Sequence, residues 1–218
     1  MLAYNVSDGA AFVTKGLVSR NGIFYPDIEI PRNKATFIIG ESGTGKTTLL
    51  KLFNQMETQS SGTILFFGED VSRSKHTTDL RTNAVLCGQS VFLFGGTIKD
   101  NFDEFRRYIK LPPLSDDRIV RLLKVCGLEC DLGKLCRNMS GGERARVFIA
   151  VHLSLTPAVL MLDEPTSALD YDTAVTMMQN IKSYCAENGM TLIVVSHDRS
   201  IVDAVADNVI DLGGRKTG

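Results

Sequence analysis

The sequence predicts an α/β fold in which helices alternate with the strands of a mainly parallel sheet. Compact apolar runs of strand length recur at residues 35–39, 159–162 and 191–195. Each run leads into a segment of helical character, and this alternation is typical of parallel sheets. The 218 residues, of which 44% are hydrophobic, are expected to form one domain, residues 1–218, with a substantial core.

Local patterns predict the individual elements in order. In the N-terminal part, strands are expected at 12–18, 23–30, 35–39 and 63–67, and a helix at 46–56. From residue 97 the apolar spacing becomes helical, as at Ile119, Leu122 and Leu123, so a helical insert is expected at about 90–155. The last elements expected are a strand at 159–162, a helix at 173–187, a strand at 191–195, a short helix and a strand at 209–212.

Composition and charge argue against several classes of protein. The net charge of -1 and the pI of about 6.3 disfavour a nucleic-acid partner. We expect no signal peptide, and no apolar run reaches the roughly 18 residues of a membrane-spanning helix, so a membrane role would require a partner. Five cysteines without disulfide spacing indicate reduced thiols and a cytoplasmic location. For Cys126, Cys130 and Cys136 the alternatives are a metal site and small buried side chains, and the spacing favours the second.

Residues 40–47 read Gly-Glu-Ser-Gly-Thr-Gly-Lys-Thr, which is the full pattern of a phosphate-binding P-loop. Glycines allow a tight turn whose backbone N–H groups point into one pocket, and the following helix adds its positive dipole end. Lys46 is expected to contact the β- and γ-phosphates and the Thr47 hydroxyl to bind magnesium. The alternative, a chance glycine-rich turn, is disfavoured by the preceding strand and the following helix. The candidate nucleotide-binding residues are Gly40, Glu41, Ser42, Gly43, Thr44, Gly45, Lys46, Thr47 and Thr48.

Polar side chains also follow two later apolar runs of the predicted sheet. Asp163 is expected to hold magnesium, directly or through water, and Glu164 to orient and deprotonate an attacking water. His197 is expected at the same edge of the sheet, where ligands of open α/β sheets bind. The alternatives are a solvent-facing strand end for the carboxylates and a structural role for His197. His76 is interpreted as a loop residue and His152 as part of a helix.

The sequence Ser140-Gly141-Gly142-Glu143 lies about two dozen residues before the carboxylate pair and narrows the class. With this motif, the chain closely resembles the nucleotide-binding domain of ATP-binding cassette (ABC) transporters from about residue 10 to 214. The resemblance implies a P-loop NTPase with an N-terminal antiparallel β subdomain and an inserted helical subdomain. It identifies Gln89 with the glutamine of the Q-loop, Ser140 to Glu143 with the signature motif, and residues 167–170 with the D-loop.

The resemblance further implies an ATPase that works as a dimer. Two such domains would sandwich two ATP molecules with Mg2+, each held by the P-loop of one subunit and by Ser140, Gly141 and Gly142 of the other. Gln89 would sense magnesium and the attacking water, and His197 would hold the γ-phosphate. The implied catalytic residues are Glu164, His197, Gln89 and Lys46, and the implied magnesium ligands are Thr47, Gln89 and Asp163. The implied partners are a second nucleotide-binding domain and transmembrane transporter domains, at the cytoplasmic face of a membrane.

The chain departs from the family pattern in the signature motif, which would contact the phosphates, and in the region that would contact the adenine base. The signature motif has Met139 in place of leucine and Glu143 in place of glutamine. Family members usually stack adenine on an aromatic residue some two dozen positions before the P-loop, but residues 16–21 contain none. Selectivity for the base is therefore expected to be loose.

Residues 90–101, with Phe92 and Phe94 ahead of Gly-Thr-Ile, resemble the exporter-type version of a segment that lies against the membrane domain. The alternative is that Phe92, Phe94, Phe102 and Phe105 simply pack the helical insert. The second functional class considered is a non-transport ABC ATPase. A DNA-repair ATPase is disfavoured by the lack of heptads between Gln89 and Ser140, and a translation-related one is disfavoured because such relatives join two cassettes in one chain. A cassette that binds nucleotide without hydrolysis is disfavoured because Glu164 and His197 are both present.

Overall fold

The computed structural model describes residues 9–73 and 77–213, which form two sheets flanked by helices. His76 lies outside these residues. The antiparallel strands are β1 (Ala10–Ser19), β2 (Glu29–Pro31), β4 (Gln59–Phe66) and β5 (Glu69–Asp70), in the order β2-β1-β4-β5. The parallel strands are β3 (Ala35–Ile39), β6 (Ala84–Cys87), β7 (Val159–Asp163), β8 (Thr191–Val195) and β9 (Asn208–Asp211), in the order β6-β7-β8-β3-β9.

Helices connect the strands of the parallel sheet and form the predicted insert. The helices are α1 (Lys46–Phe53), α2 (Thr77–Asn83), α3 (Ile98–Tyr108), α4 (Asp116–Val125), α5 (Gly141–Leu153), α6 (Tyr171–Glu187) and α7 (Arg199–Val205), with 3-10 turns at Val71–Arg73 and Cys136–Asn138. The insert consists of α3, α4 and α5, which lie between β6 and β7 in sequence. The predicted fold class, with a parallel core sheet, an antiparallel sheet and a helical insert, is confirmed.

Several element boundaries differ from the predicted ones. The strand predicted at 23–30 is confined to β2, and residues 24 to 28 have only an isolated bridge between Phe24 and Val18. The helix predicted to reach residue 56 ends at Phe53, because Gln55 takes a positive φ of 56° that ends helical geometry. The sequence does not predict β6, since four residues without alternation carry little local signal.

The parallel sheet lies between two hydrophobic cores. Along β3, Phe37 and Ile39 face the core shared with the insert and α6, whereas Ile38 faces the core shared with α1 and the antiparallel sheet. A strand that is buried on both faces has no polar positions, so β3, β7 and β8 are apolar almost throughout. These three strands therefore form the buried centre of the parallel sheet, and the loops of the candidate site follow their carboxyl ends.

Helix α1 packs between the two sheets and sets the position of the P-loop. Its residues Leu49, Leu50, Leu52 and Phe53 are fully buried in the same core. The Phe53 ring stacks on Phe12 of β1 with 4.4 Å between ring centroids and 11° between planes. An aromatic pair of this kind adds about 0.5–1.5 kcal/mol beyond area burial. The helix start, and with it the loop that precedes it, is thus fixed against both sheets.

The described residues bear on two further expectations. Within them, no helix combines the length and apolar character that crossing a bilayer demands. The cysteines are free thiols, and all except the half-buried Cys130 are buried. Burial raises the pKa of the Cys87 and Cys126 thiols, and raises that of Cys185 to about 12. The described part of the chain contains no cluster of three or more His, Cys, Asp or Glu residues suited to a metal ion.

Candidate functional site

Four loops meet at the carboxyl edge of the parallel sheet. They follow β3, β6, β7 and β8, and the register places Asp163 opposite Val195 and Val195 opposite Ile38. A pocket of about 370 Å³ opens there, and the P-loop forms one of its walls. The other walls hold the polar residues predicted from the sequence, Gln89, Asp163, Glu164 and His197. The full lining is Ile23, Ser42, Gly43, Gly45, Lys46, Thr47, Thr48, Gln89, Asp163, Glu164, Val195 and His197.

The P-loop is held in a left-handed conformation that favours glycine. Gly43 and Gly45 have φ angles of 83° and 92°, a region that side chains rarely tolerate. The Lys46 ammonium folds back over the loop and donates to the carbonyl oxygens of Gly40, at 2.8 Å, and Glu41, at 3.0 Å. The Thr44 hydroxyl also donates to the Glu41 carbonyl, at 2.9 Å. Gly40, Glu41 and Thr44 therefore shape the loop from within and do not line the pocket.

Two residues that the sequence does not single out support the loop from outside. The Tyr25 hydroxyl donates to the Gly45 carbonyl at 3.0 Å. A Cβ added at Gly45 would lie 2.6 Å from the Tyr25 oxygen and 2.9 Å from Ile23 Cδ1. Burial, and then the charge of Glu57, raise the pKa of Tyr25 to about 12, so the hydroxyl remains a neutral donor at ordinary pH. No local sequence pattern indicates this contact, because Tyr25 and Gly45 are 20 positions apart in the chain and meet only in the fold.

Thr47 and Asp163 form an oxygen pair at the bottom of the pocket. The Thr47 hydroxyl donates to Asp163 Oδ2 at 2.8 Å. Asp163 is 4% exposed, and among the described residues its Oδ1 has no hydrogen-bond partner. A buried carboxylate oxygen without a partner is costly unless a cation or a water occupies the adjacent space. Hydroxyl and carboxylate oxygens are the ligands that Mg2+ prefers, so these residues fit the ion implied by the sequence.

Glu164, the residue after Asp163, forms a second pair with His197. His197 Nδ1 lies 2.7 Å from Glu164 Oε2, and the backbone N–H of Glu164 donates to the Val195 carbonyl at 3.0 Å. Glu164 has a positive φ of 55°, which is strained for a side chain of this kind and tends to occur at functional sites. The Glu164 side chain is 16% exposed, whereas that of His197 is 70% exposed. The histidine is therefore open to a ligand, and the carboxylate is held behind it.

The signature motif begins α5 but does not reach the P-loop pocket of the same chain. The Ser140 hydroxyl accepts from the Glu143 N–H at 3.2 Å, and the Glu143 carboxylate accepts from the Ser140 N–H at 2.8 Å, which is a reciprocal capping box. Gly141 and Gly142 line an adjoining cleft of about 780 Å³, which shares Gln89, Asp163, Glu164 and His197 with the P-loop pocket. Ser140 is exposed and lines neither cavity.

One further predicted residue, Asp170, and one residue that was not predicted, Arg146, also have clear structural positions. Asp170 caps α6 by accepting from the Thr173 N–H at 3.0 Å, and this backbone bond lowers the pKa of its carboxyl. Arg146, which the sequence does not single out, lines the larger cleft, and its buried Nε has no hydrogen-bond partner within the described residues. The only feature that could have pointed to Arg146 is its position on α5, about two turns after the signature motif begins.

An aromatic row extends from the surface into the insert, and consists of Phe92, Phe94, Phe105, His152 and Phe148. Neighbouring ring centroids along it lie 5.2 Å, 5.4 Å, 5.2 Å and 4.2 Å apart. Phe92 and Phe94 are 60% and 40% exposed, whereas Phe102 in α3 is fully buried. Burial lowers the pKa of His152 to about 4, so it is a neutral member of the row at ordinary pH. The segment after Gln89 thus both packs the insert and presents an apolar surface.

Several known proteins resemble this chain in sequence. The family model described as ABC transporter matches residues 26–167. The methionine import ATP-binding protein MetN of Cutibacterium acnes is 34% identical over 205 residues, which cover 90% of this chain and 56% of MetN. The probable amino-acid import ATP-binding protein YxeO of Bacillus subtilis is 35% identical over 203 residues, covering 90% of this chain and 80% of YxeO.

A solved structure has the same fold. It is cbiO1 from Clostridium perfringens, described as part of the ABC transporter complex cbiONQ, with a TM-score of 0.81, 30% identity, and coverage of 94% of this chain and 85% of cbiO1. The chain spans just over half the length of MetN. MetN and YxeO are named as import proteins, which differs from the exporter-type interpretation of residues 90–101.

Proposed function

The chain belongs to the ABC transporter family of ATP-binding proteins, and on this premise we propose that it hydrolyses Mg-ATP to drive transport by membrane-embedded partners. The observation that carries the proposal is the single pocket shared by the P-loop, the Thr47–Asp163 pair and the Glu164–His197 pair. In this proposal, residues 1–218 form one cassette, with the helical insert at about 90–155.

The residues of the pocket divide the work of phosphoryl transfer. Backbone N–H groups of the P-loop and the start of α1 bind the phosphates, and Lys46 adds a cation beside them. Thr47, Asp163 and Gln89 would hold the magnesium ion, which when bound neutralises charge on the phosphate oxygens. Glu164 accepts a proton from the attacking water, and the ring of His197, 2.7 Å from Oε2, orients this carboxylate beside the γ-phosphate.

The second half of the site is proposed to come from another subunit. Ser140 is exposed and does not line the P-loop pocket of its own chain. A serine hydroxyl at a helix start, with the N–H groups of Gly141 and Gly142, is nevertheless a suitable phosphate ligand. A second copy or a sister nucleotide-binding subunit would place this helix start against the γ-phosphate. Hydrolysis would then require two subunits, so ATP binding and subunit closure are coupled.

Mixing two inactive variants tests this composite site. Lys46→Met disables the P-loop, whereas Gly142→Asp places a charge in the signature motif, where an added Cβ meets only the Cβ of Ala168 at 3.9 Å. Each variant alone is expected to be inactive. Random pairing in an equal mixture places both variants in half of the dimers, each with one intact site, which gives about a quarter of the wild-type turnover; preferential pairing through the intact site raises this fraction toward about a half.

The measurement is phosphate release at saturating ATP, with the mixing ratio varied. Gly95→Ala is a matched control for Gly142→Asp, because an added Cβ at Gly95 meets nothing within 4 Å. Each inactive variant alone reports the activity without complementation, whereas a mixture of Lys46→Met with Gly95→Ala is expected to retain about half of the wild-type turnover, because Gly95→Ala subunits keep both halves of the site. If the wild-type chain hydrolyses ATP by itself but the two inactive variants recover no activity and no ATP-dependent dimer at any ratio, the site is not shared between subunits and the proposal is wrong.

The exposed end of the aromatic row is proposed as part of the surface that contacts the membrane domain. Phe92 and Phe94 directly follow Gln89, so the surface adjoins the nucleotide pocket. We expect the protein in its native cells to sediment with membranes and to leave them under mild denaturant, which quantitative fractionation would measure. Exclusive recovery in the unsedimented fraction would contradict a transport role. It would then favour the non-transport ABC ATPase, which the import names of MetN and YxeO do not support.

Import is the direction that these relatives favour. MetN and YxeO are named as methionine and amino-acid import proteins. We therefore propose a small solute as the cargo, selected by the membrane subunits and not by this chain. Uptake and efflux of labelled amino acids in cells with and without the protein would test both the direction and the solute class.

A further inference from the structure

Glu143 places a negative charge at the helix start that is proposed to receive a phosphate. Both of its carboxylate oxygens have partners: Oε2 accepts from the Ser140 N–H at 2.8 Å, and Oε1 accepts from the Lys134 ammonium at 2.8 Å. These bonds, the Lys134 bond first, lower the pKa of Glu143 to about 2. The carboxylate is therefore ionised at every physiological pH.

This charge has opposite effects on the two tasks of Ser140. The carboxylate fixes the Ser140 backbone, and the Ser140 hydroxyl accepts from the Glu143 N–H at 3.2 Å, which uses an oxygen lone pair and not the hydroxyl proton; the nearby carboxylate also attracts that proton. An uncompensated carboxylate so close to the hydroxyl would nevertheless repel an incoming phosphate and oppose the helix dipole. The phosphate half-site therefore needs a cation that neutralises Glu143 without occupying the surface of Ser140.

Lys134 is held where it can meet this need. Its carbonyl accepts from the Ile98 N–H at 3.1 Å, and its N–H donates to the Asp131 carbonyl at 3.0 Å. The adjoining Leu135 forms a bridge with Thr97. The backbone is thus anchored on the start of α3, and the Lys134 and Glu143 side chains are 35% and 28% exposed. This ion pair is therefore better shielded from solvent than the Lys124–Glu129 pair, whose side chains are 57% and 81% exposed.

We propose that Lys134 is a positioning residue for the signature half-site, because it neutralises Glu143 and so allows the Ser140 hydroxyl to bind the γ-phosphate of an ATP held by a second subunit. The inference rests on the composite site proposed above. It concerns Lys134 and Glu143 as they occur in this chain, where Glu143 stands in place of the glutamine expected from the family.

The test uses ATP-dependent dimerisation in a Glu164→Gln background, which separates binding across the interface from hydrolysis. Lys134→Gln is expected to raise the ATP concentration for half-maximal dimerisation about tenfold, because a charge-assisted contact is weakened. ATP binding to the isolated subunit, measured at protein concentrations below dimerisation, is expected to stay the same. Adding Glu143→Gln to Lys134→Gln is expected to restore dimerisation, since glutamine can still cap Ser140 without the charge.

A matched control and a salt series distinguish charge compensation from folding damage. Lys124→Gln removes a lysine of the same insert that pairs with Glu129 at 3.5 Å and not with Glu143, and it is expected to have no effect. Because salt screens exposed charges, added KCl is expected to shrink the Lys134→Gln defect.

The possible outcomes test the role of Lys134 and the composite site separately. If Lys134→Gln dimerises like Lys124→Gln, or if its defect is insensitive to salt and is not rescued by Glu143→Gln, the role of Lys134 is overturned while the composite site stands. If the Glu164→Gln reference does not dimerise with ATP, the composite site and this inference are overturned together.

Discussion

Replacing Glu164 with glutamine is expected to lower the ATP turnover at least about a hundredfold, which is the usual contribution of a general base. Glutamine has nearly the same size as glutamate. It can keep the contact with His197 Nδ1, which Glu164 makes at 2.7 Å, and the backbone bond to the Val195 carbonyl. It cannot take a proton from water, however. ATP binding is therefore expected to persist, and the variant is expected to accumulate as an ATP-bound dimer.

Phosphate release and size-exclusion chromatography with and without ATP measure the two halves of this result. Glu129→Gln, which changes an exposed carboxylate of the insert, controls for the loss of one negative charge. Normal turnover by Glu164→Gln would exclude Glu164 as the base and would direct attention to another group at the carboxyl edge of the sheet. Loss of ATP binding would instead show that the strained backbone at Glu164, with φ at 55°, does not tolerate the change.

Replacing Lys46 with methionine is expected to weaken ATP binding about a hundredfold or more and to abolish the ATP-dependent dimer. The ammonium donates to the carbonyls of Gly40 and Glu41, so it lies directly over the loop that receives the phosphates. Methionine keeps the length and apolar stem of lysine but has no charge to offer a phosphate. A loss of this size corresponds to about 2.7 kcal/mol of binding free energy.

Isothermal titration with Mg-ATP would measure the affinity, and the melting temperature would show that the fold persists. Lys51→Met is the matched control, because Lys51 lies on the same helix α1 but pairs with Glu57 at 3.5 Å on the surface. An affinity of Lys46→Met within twofold of that of Lys51→Met would mean that residues 40–47 are not the phosphate site.

Local sequence patterns determined much of this protein. Apolar runs predicted β3, β7 and β8, because strands buried on both faces leave no polar positions. The P-loop could be recognised from the sequence because its glycines, lysine and threonine lie within eight consecutive residues, flanked by a strand and a helix. Ser140 and Glu143 also lie within one helical turn, so their spacing alone indicates a helix start. Each of these features depends on interactions between near neighbours in the chain.

Only the tertiary structure decided which of these features meet. Strand β6 has little local signal and exists through its pairing with β7, which carries Gln89 to the pocket. The Thr47–Asp163 pair joins residues 116 positions apart, and the Glu164–His197 pair joins residues 33 positions apart. Strand order and register set these distances, and both result from packing two cores around one sheet. Periodicity reports which face of an element is buried, but not which distant element covers it.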